Sequence, residues 1–136
     1  MITMSNLINE LKDDHIKLAL KINEVKDIGI SSDDGRKLLI SIKNELLNHL
    51  KKEDEQLYPR LKEIGLKDPD VQKTLDTYAQ DMKVITEFAM DFFEKYSHTS
   101  NSIDFFKDIG RLLGALRERM KKEEGALYTI YDNNPS

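Results

Sequence analysis

Two pairs of side chains four residues apart, His49 with Glu53 and Arg119 with Glu123, lie in two versions of one phrase. "HLKKEDEQLYP" runs from His49 to Pro59, and "RMKKEEGALYT" runs from Arg119 to Thr129. Aligned without a gap, they share Lys-Lys-Glu and Leu-Tyr, and Leu50 stands opposite Met120. On a helix, residues at i and i+4 project from one face toward one point. Imidazole and carboxylate converging in this way make a ligand set suited to iron, manganese or zinc. Arg119 breaks the parallel, because a guanidinium is always protonated and cannot ligate. It suits another task, bridging Glu53 and Glu123 with a planar fork of donors.

The elements that must position these residues follow from apolar periodicity, which predicts four helices. The first spans about Ser5 to Ile28, with Ser5 as N-cap, Gly29 as stop, and a stripe of Leu7, Leu11, His15, Leu18, Ile22 and Val25. The second spans about Asp33 to Ile64, with Leu38, Ile42, Leu46, His49, Glu53 and Leu57 on its stripe; Pro59 should disturb its last turns and Gly65 end it. "KDPDV" opens the third, with Asp68 capping and Pro69 at the first helical position. Its stripe passes through Val71, Leu75, Tyr78, Met82, Ile85, Ala89, Phe92 and Tyr96. The polar loop "SHTSNS" leads to the fourth, about Ser102 to Tyr131, with Phe105, Ile109, Leu112, Leu116, Arg119, Glu123, Leu127 and Ile130 inward. Long helices joined by short turns predict an all-α fold, an up-down-up-down antiparallel four-helix bundle, as a single domain over residues 1–136.

Five residues on these otherwise apolar stripes are polar: His15, His49, Glu53, Arg119 and Glu123. At about 1.5 Å rise per residue, antiparallel helices bring all five, with Met82, to one central layer. A carboxylate there is costly unless it is paired or bound to metal. Tyr58 and Tyr128, which follow the two motifs, are expected to pack at the bundle end. Phe92, Phe93, Phe105 and Phe106 are expected to plug the third turn.

Composition removes several classes of function. The chain has 136 residues, a net charge of −4 and no cysteine. Thiolate metal sites and cysteine nucleophiles are excluded. No basic face favours nucleic acid, since Lys51-Lys52 and Lys121-Lys122 are each followed at once by acids. No stretch approaches the roughly 20 apolar residues of a membrane span, and no leader pattern opens the chain, so a cytoplasmic protein is expected. No nucleophile, phosphate loop or separate cleft signals an enzyme.

His15, "HLKKEDEQLYP" and "KKEEGALY" together make the chain resemble a hemerythrin-like, or HHE cation-binding, domain over nearly its whole length. In that family five histidines and two bridging carboxylates hold a non-heme di-iron centre, and members carry or sense oxygen, handle nitric oxide or iron, or regulate. The resemblance implies His15, His49, Glu53 and Glu123 as metal ligands. It also marks two departures, Met82 and Arg119, at places where the family has histidine; His98, in a loop, cannot substitute. Four ligands imply one non-heme iron rather than two, and a metal-binding, non-enzymatic protein that senses oxygen, nitric oxide or redox state through a small diatomic ligand. The alternative is a metal-free regulatory or interaction module in which Arg119 pairs with Glu53 and Glu123 in place of the metal.

Overall fold

A computed structural model describes residues 6–97 and 103–134. Ser5, His98 and Ser102, expected as a cap, a loop residue and a helix start, lie outside the described residues. The described chain is helical and forms four runs. The first is α1 (Asn6–Ile28). The second is α2 (Asp33–Lys52), which passes through a π turn at Glu53–Leu57 into α3 (Tyr58–Lys67). The third is α4 (Pro69–Ser97). The fourth is α5 (Phe105–Lys122), which passes through a second π turn at Glu123–Leu127 into α6 (Tyr128–Asn133).

The connections follow local chemistry. Gly29 adopts φ +73, the left-handed region open to glycine, and its N–H reaches the Val25 carbonyl at 2.8 Å. The Ser32 hydroxyl caps α2 by accepting the Gly35 N–H at 3.1 Å. The Asp68 carboxylate caps α4, accepting the N–H groups of Asp70 and Val71 at 3.1 and 3.4 Å. Gly65, expected to end the second helix, lies inside it; the helix continues to Lys67. Its task is close approach instead, since a Cβ there would stand 2.6 Å from the Gln72 side-chain oxygen.

α1 packs against α2 and α5, and α4 against α3 and α5. The stripes hold along the middle of each helix and slip by one at two starts, where Ile8 and Leu39 are buried while Leu7 and Leu38 are partly so. Phe92, Phe93, Phe105 and Tyr96 form the expected aromatic plug, but Phe106 is 56% exposed and takes no part. The apolar core divides in two. One half is built around Ile22, Ile42, Phe105 and Leu112; the other around Leu11, Leu57, Leu61 and Leu127. Fully burying each such side chain is worth roughly 1.5–3 kcal/mol. Among the described residues, the buried polar and charged groups are His15, His49, Glu53, Arg119 and Glu123. The two apolar halves stabilise a bundle that can carry this polar set.

Candidate metal centre

Both π turns begin at a glutamate of the site. The Tyr58 N–H bonds to the Glu53 carbonyl and the Tyr128 N–H to the Glu123 carbonyl, each five residues back. Such widened turns are rare and occur mostly at functional positions. Pro59 lacks an N–H and disturbs the helix there, as expected, yet Thr129 stands in its place beyond an equal turn. Proline is therefore not what opens the turn.

His15 and His49 face each other across α1 and α2, with their Nε2 atoms 3.1 Å apart. Each Nδ1 is committed to a carboxylate, His15 to Glu124 at 3.0 Å and His49 to Asp14 at 2.9 Å. These partners assign the N–H of each neutral ring to Nδ1. Two Nε2 lone pairs then point at one another, which is tolerable only with a positive charge between them. In the metal-free protein the surroundings favour a proton on His49 over one on His15. Burial pulls His49 down, but Glu53 and Asp14 outweigh it and its pKa is raised; burial and the His49 charge hold His15 lowered.

The carboxylates complete the cluster. Glu53 Oε1 lies 3.2 Å from His49 Nε2, and Glu123 Oε1 lies 3.5 Å from His15 Nε2. Burial raises both acids. The hydrogen bond and charge of Glu53 add to the effect on Glu123, which sits well above the ordinary carboxylate range, while Glu123 and His49 hold Glu53 at about 2. The buried oxygens Glu53 Oε1 and Glu123 Oε2 accept no hydrogen bond. Tyr128, expected at the bundle end, is in the site: its hydroxyl is 3.1 Å from both His15 Nε2 and Glu53 Oε2, and its ring stacks on His15.

Arg119 is 7% exposed and approaches both carboxylates, with Nε 3.5 Å from Glu123 Oε1 and Nη2 3.6 Å from Glu53 Oε1. Its hydrogen bonds go elsewhere, from Nη1 to the Met82 carbonyl at 3.3 Å and to the Thr86 hydroxyl. The two departures from the histidine pattern thus meet. A cavity of about 540 Å³ opens on this side, lined by Tyr58, Tyr78, Met82, Thr86, Arg119 and Leu127. The Tyr58 hydroxyl is buried without a partner, and burial with the nearby Glu123 and Glu53 pushes its pKa up.

The donor set fits one ion. Donor atoms of His15, His49 and Glu123 lie within 4.8 Å of one another, with Glu53 beside His49. Around an ion with bonds of about 2.1 Å, adjacent ligand atoms stand about 3.0–3.4 Å apart, and the His15–His49, His49–Glu53 and His15–Glu123 separations run from 3.1 to 3.5 Å. A second ion is poorly served. Where the family has two further histidines this chain has Arg119, whose guanidinium cannot ligate, and Met82, whose thioether suits hard iron badly.

Sequence reasoning placed His15, His49, Glu53, Glu123, Arg119 and Met82 in one layer, and the structure brings them together. It missed Asp14, Glu124 and Tyr128. A signal was present: Asp14 adjoins His15 and Glu124 adjoins Glu123. The supports cross over, however, since Asp14 serves His49 and Glu124 serves His15.

Comparison with known proteins gives one assignment. The family model described as the hemerythrin HHE cation binding domain matches residues 6–131. No curated protein and no solved structure matches the chain significantly.

Proposed function

The chain belongs to the hemerythrin HHE cation-binding domain family, and from that premise we propose that it binds a single non-heme iron through His15, His49, Glu53 and Glu123. The observation that carries the reading is the pair of Nε2 atoms 3.1 Å apart, each ring backed by a carboxylate on Nδ1. Carboxylate-backed imidazoles aimed at one point are how proteins orient histidine ligands and raise their basicity. An ion there replaces the proton on His49 and supplies a partner for the carboxylate oxygens that Arg119 leaves without donors. Bound iron supplies a Lewis-acidic, redox-active centre. The chain's own residues position it, exclude water from it and hold Arg119 beside it.

The same proposal makes this a binding protein rather than an enzyme, in the cytoplasm, responding to oxygen, nitric oxide or redox state. It also takes residues 1–136 as one domain whose four runs alternate in direction. In support, single Asp68 and the short Gly29–Ser32 link join successive runs, and no described helix is long and apolar enough to cross a membrane.

A second reading keeps the bundle without metal and uses Arg119 as the counter-charge, favoured by its approach to both carboxylates. Metal content per chain separates the two. After anaerobic purification and ferrous loading, elemental analysis should find about one iron per chain, lost in His49→Ala and Glu53→Ala. No metal in the wild type, with iron gained by an Arg119→His/Met82→His variant, would support the metal-free module.

A further inference from the structure

We infer that Tyr128 is a ligand of the bound metal, its phenolic oxygen taking a coordination position beside His15 and Glu53 and selecting ferric iron. This rests on the single-iron reading above. The hydroxyl oxygen stands 3.1 Å from His15 Nε2 and 3.1 Å from Glu53 Oε2. Those separations match the His15–His49, His49–Glu53 and His15–Glu123 ones of 3.1 to 3.5 Å, so the oxygen stands as near its neighbours as the proposed ligand atoms do to theirs. The side chain is 1% exposed and its ring is stacked on His15 at 5.6 Å. The oxygen is therefore held in the site by packing.

The chemistry of the donor picks the metal. A phenolate is a hard, anionic oxygen, and with Glu53 and Glu123 it makes three negative donors to set against the three charges of ferric iron. Two histidines and two carboxylates alone suit zinc or manganese as well; the phenolate discriminates. Burial, with Glu123 and Glu53 nearby, pushes the Tyr128 pKa up, so its O–H bond breaks only as the iron–oxygen bond forms, and the proton is released to solvent. Tyr58 holds the same place in the first phrase, but its hydroxyl has no partner and it lines the cavity beside Arg119. Only one of the two repeated tyrosines is placed to ligate.

The test is optical. Protein loaded from ferric citrate should show a visible phenolate-to-iron charge-transfer band, with phenolate ring modes enhanced by Raman excitation within it. Tyr128→Phe should lose the band and hold ferric iron more weakly in citrate competition, and Tyr58→Phe should keep both. An iron-loaded wild type with neither band nor ring modes, or a band that survives Tyr128→Phe, would overturn the assignment and leave the metal reading intact. An iron-free wild type would overturn both. The ring modes are read on the wild type, so poor folding of a variant does not obscure the answer.

Discussion

Residues 49–59 and 119–129 both widen into a π turn at a glutamate, bury that glutamate and the leucine four residues on, and return to α-helix at a tyrosine. They differ in what they present to the site. The first offers an imidazole, backed from α1 by Asp14; its tyrosine hydroxyl finds no partner. The second offers a guanidinium turned toward α4, and its tyrosine reaches into the donor cluster. One backbone device thus serves a ligand in one copy and a fixed cation in the other. Repetition sets where a side chain arrives; residue type sets what happens there.

The largest test of that contrast removes the first residue of each copy. In the metal-free protein Arg119→Ala should cost about 3–5 kcal/mol in urea unfolding, because it leaves buried carboxylates without their cation. His49→Ala should cost less, roughly 1–3 kcal/mol, since Asp14 keeps Lys52 and Glu53 keeps Arg119 when the His49 charge is removed. The reverse order would mean that Arg119 is not the counter-charge.

The outer carboxylates come next. Asp14→Asn and Glu124→Gln should each weaken iron binding about 10–100-fold in chelator competition, with the fold unchanged. A loss confined to one of them would show that the two histidines are not equivalent ligands.

Acidity separates the copies further. The raised pKa of His49 means that its contribution is fully present below the unfolded value near 6.5 and is lost as pH rises through the folded one. The penalty of His49→Gln in metal-free protein should therefore shrink on going to alkaline pH. The penalty of Arg119→Ala should not, because the guanidinium stays charged and Glu123 becomes more anionic. Parallel slopes would mean that the proton does not sit on His49. The smallest effect belongs to the last difference between the phrases. Pro59→Thr should change stability by no more than about 0.5 kcal/mol, as expected of an exposed position whose counterpart tolerates threonine.

The helices and the polar layer were legible because stripe spacing survives even where polar residues interrupt it. His15, Leu18 and Ile22 keep phase, as do Leu116, Arg119 and Glu123. The π turns were not legible, because the four-residue steps from His49 to Glu53 to Leu57 read straight through them. Each opens at a glutamate buried in the polar layer, and a periodicity cannot show that. Asp14 and Glu124 escaped for a related reason. Each supports a histidine on another helix, so its partner is distant in sequence. Tyr128 read as end packing because it follows its phrase as Tyr58 does, and nothing in the sequence separates the two hydroxyls, of which only that of Tyr58 lacks a partner.

The widened turns also bear on descent. A turn closed five residues back holds one residue more than the α-turns around it, so gaining or losing a single codon there would rotate every later side chain by about 100°. The helix axis would remain, but Leu61 and Tyr128 would turn away from the apolar half they fill. The length of each phrase is therefore held by the packing beyond it, even where its first residue is free to differ, as His49 and Arg119 do.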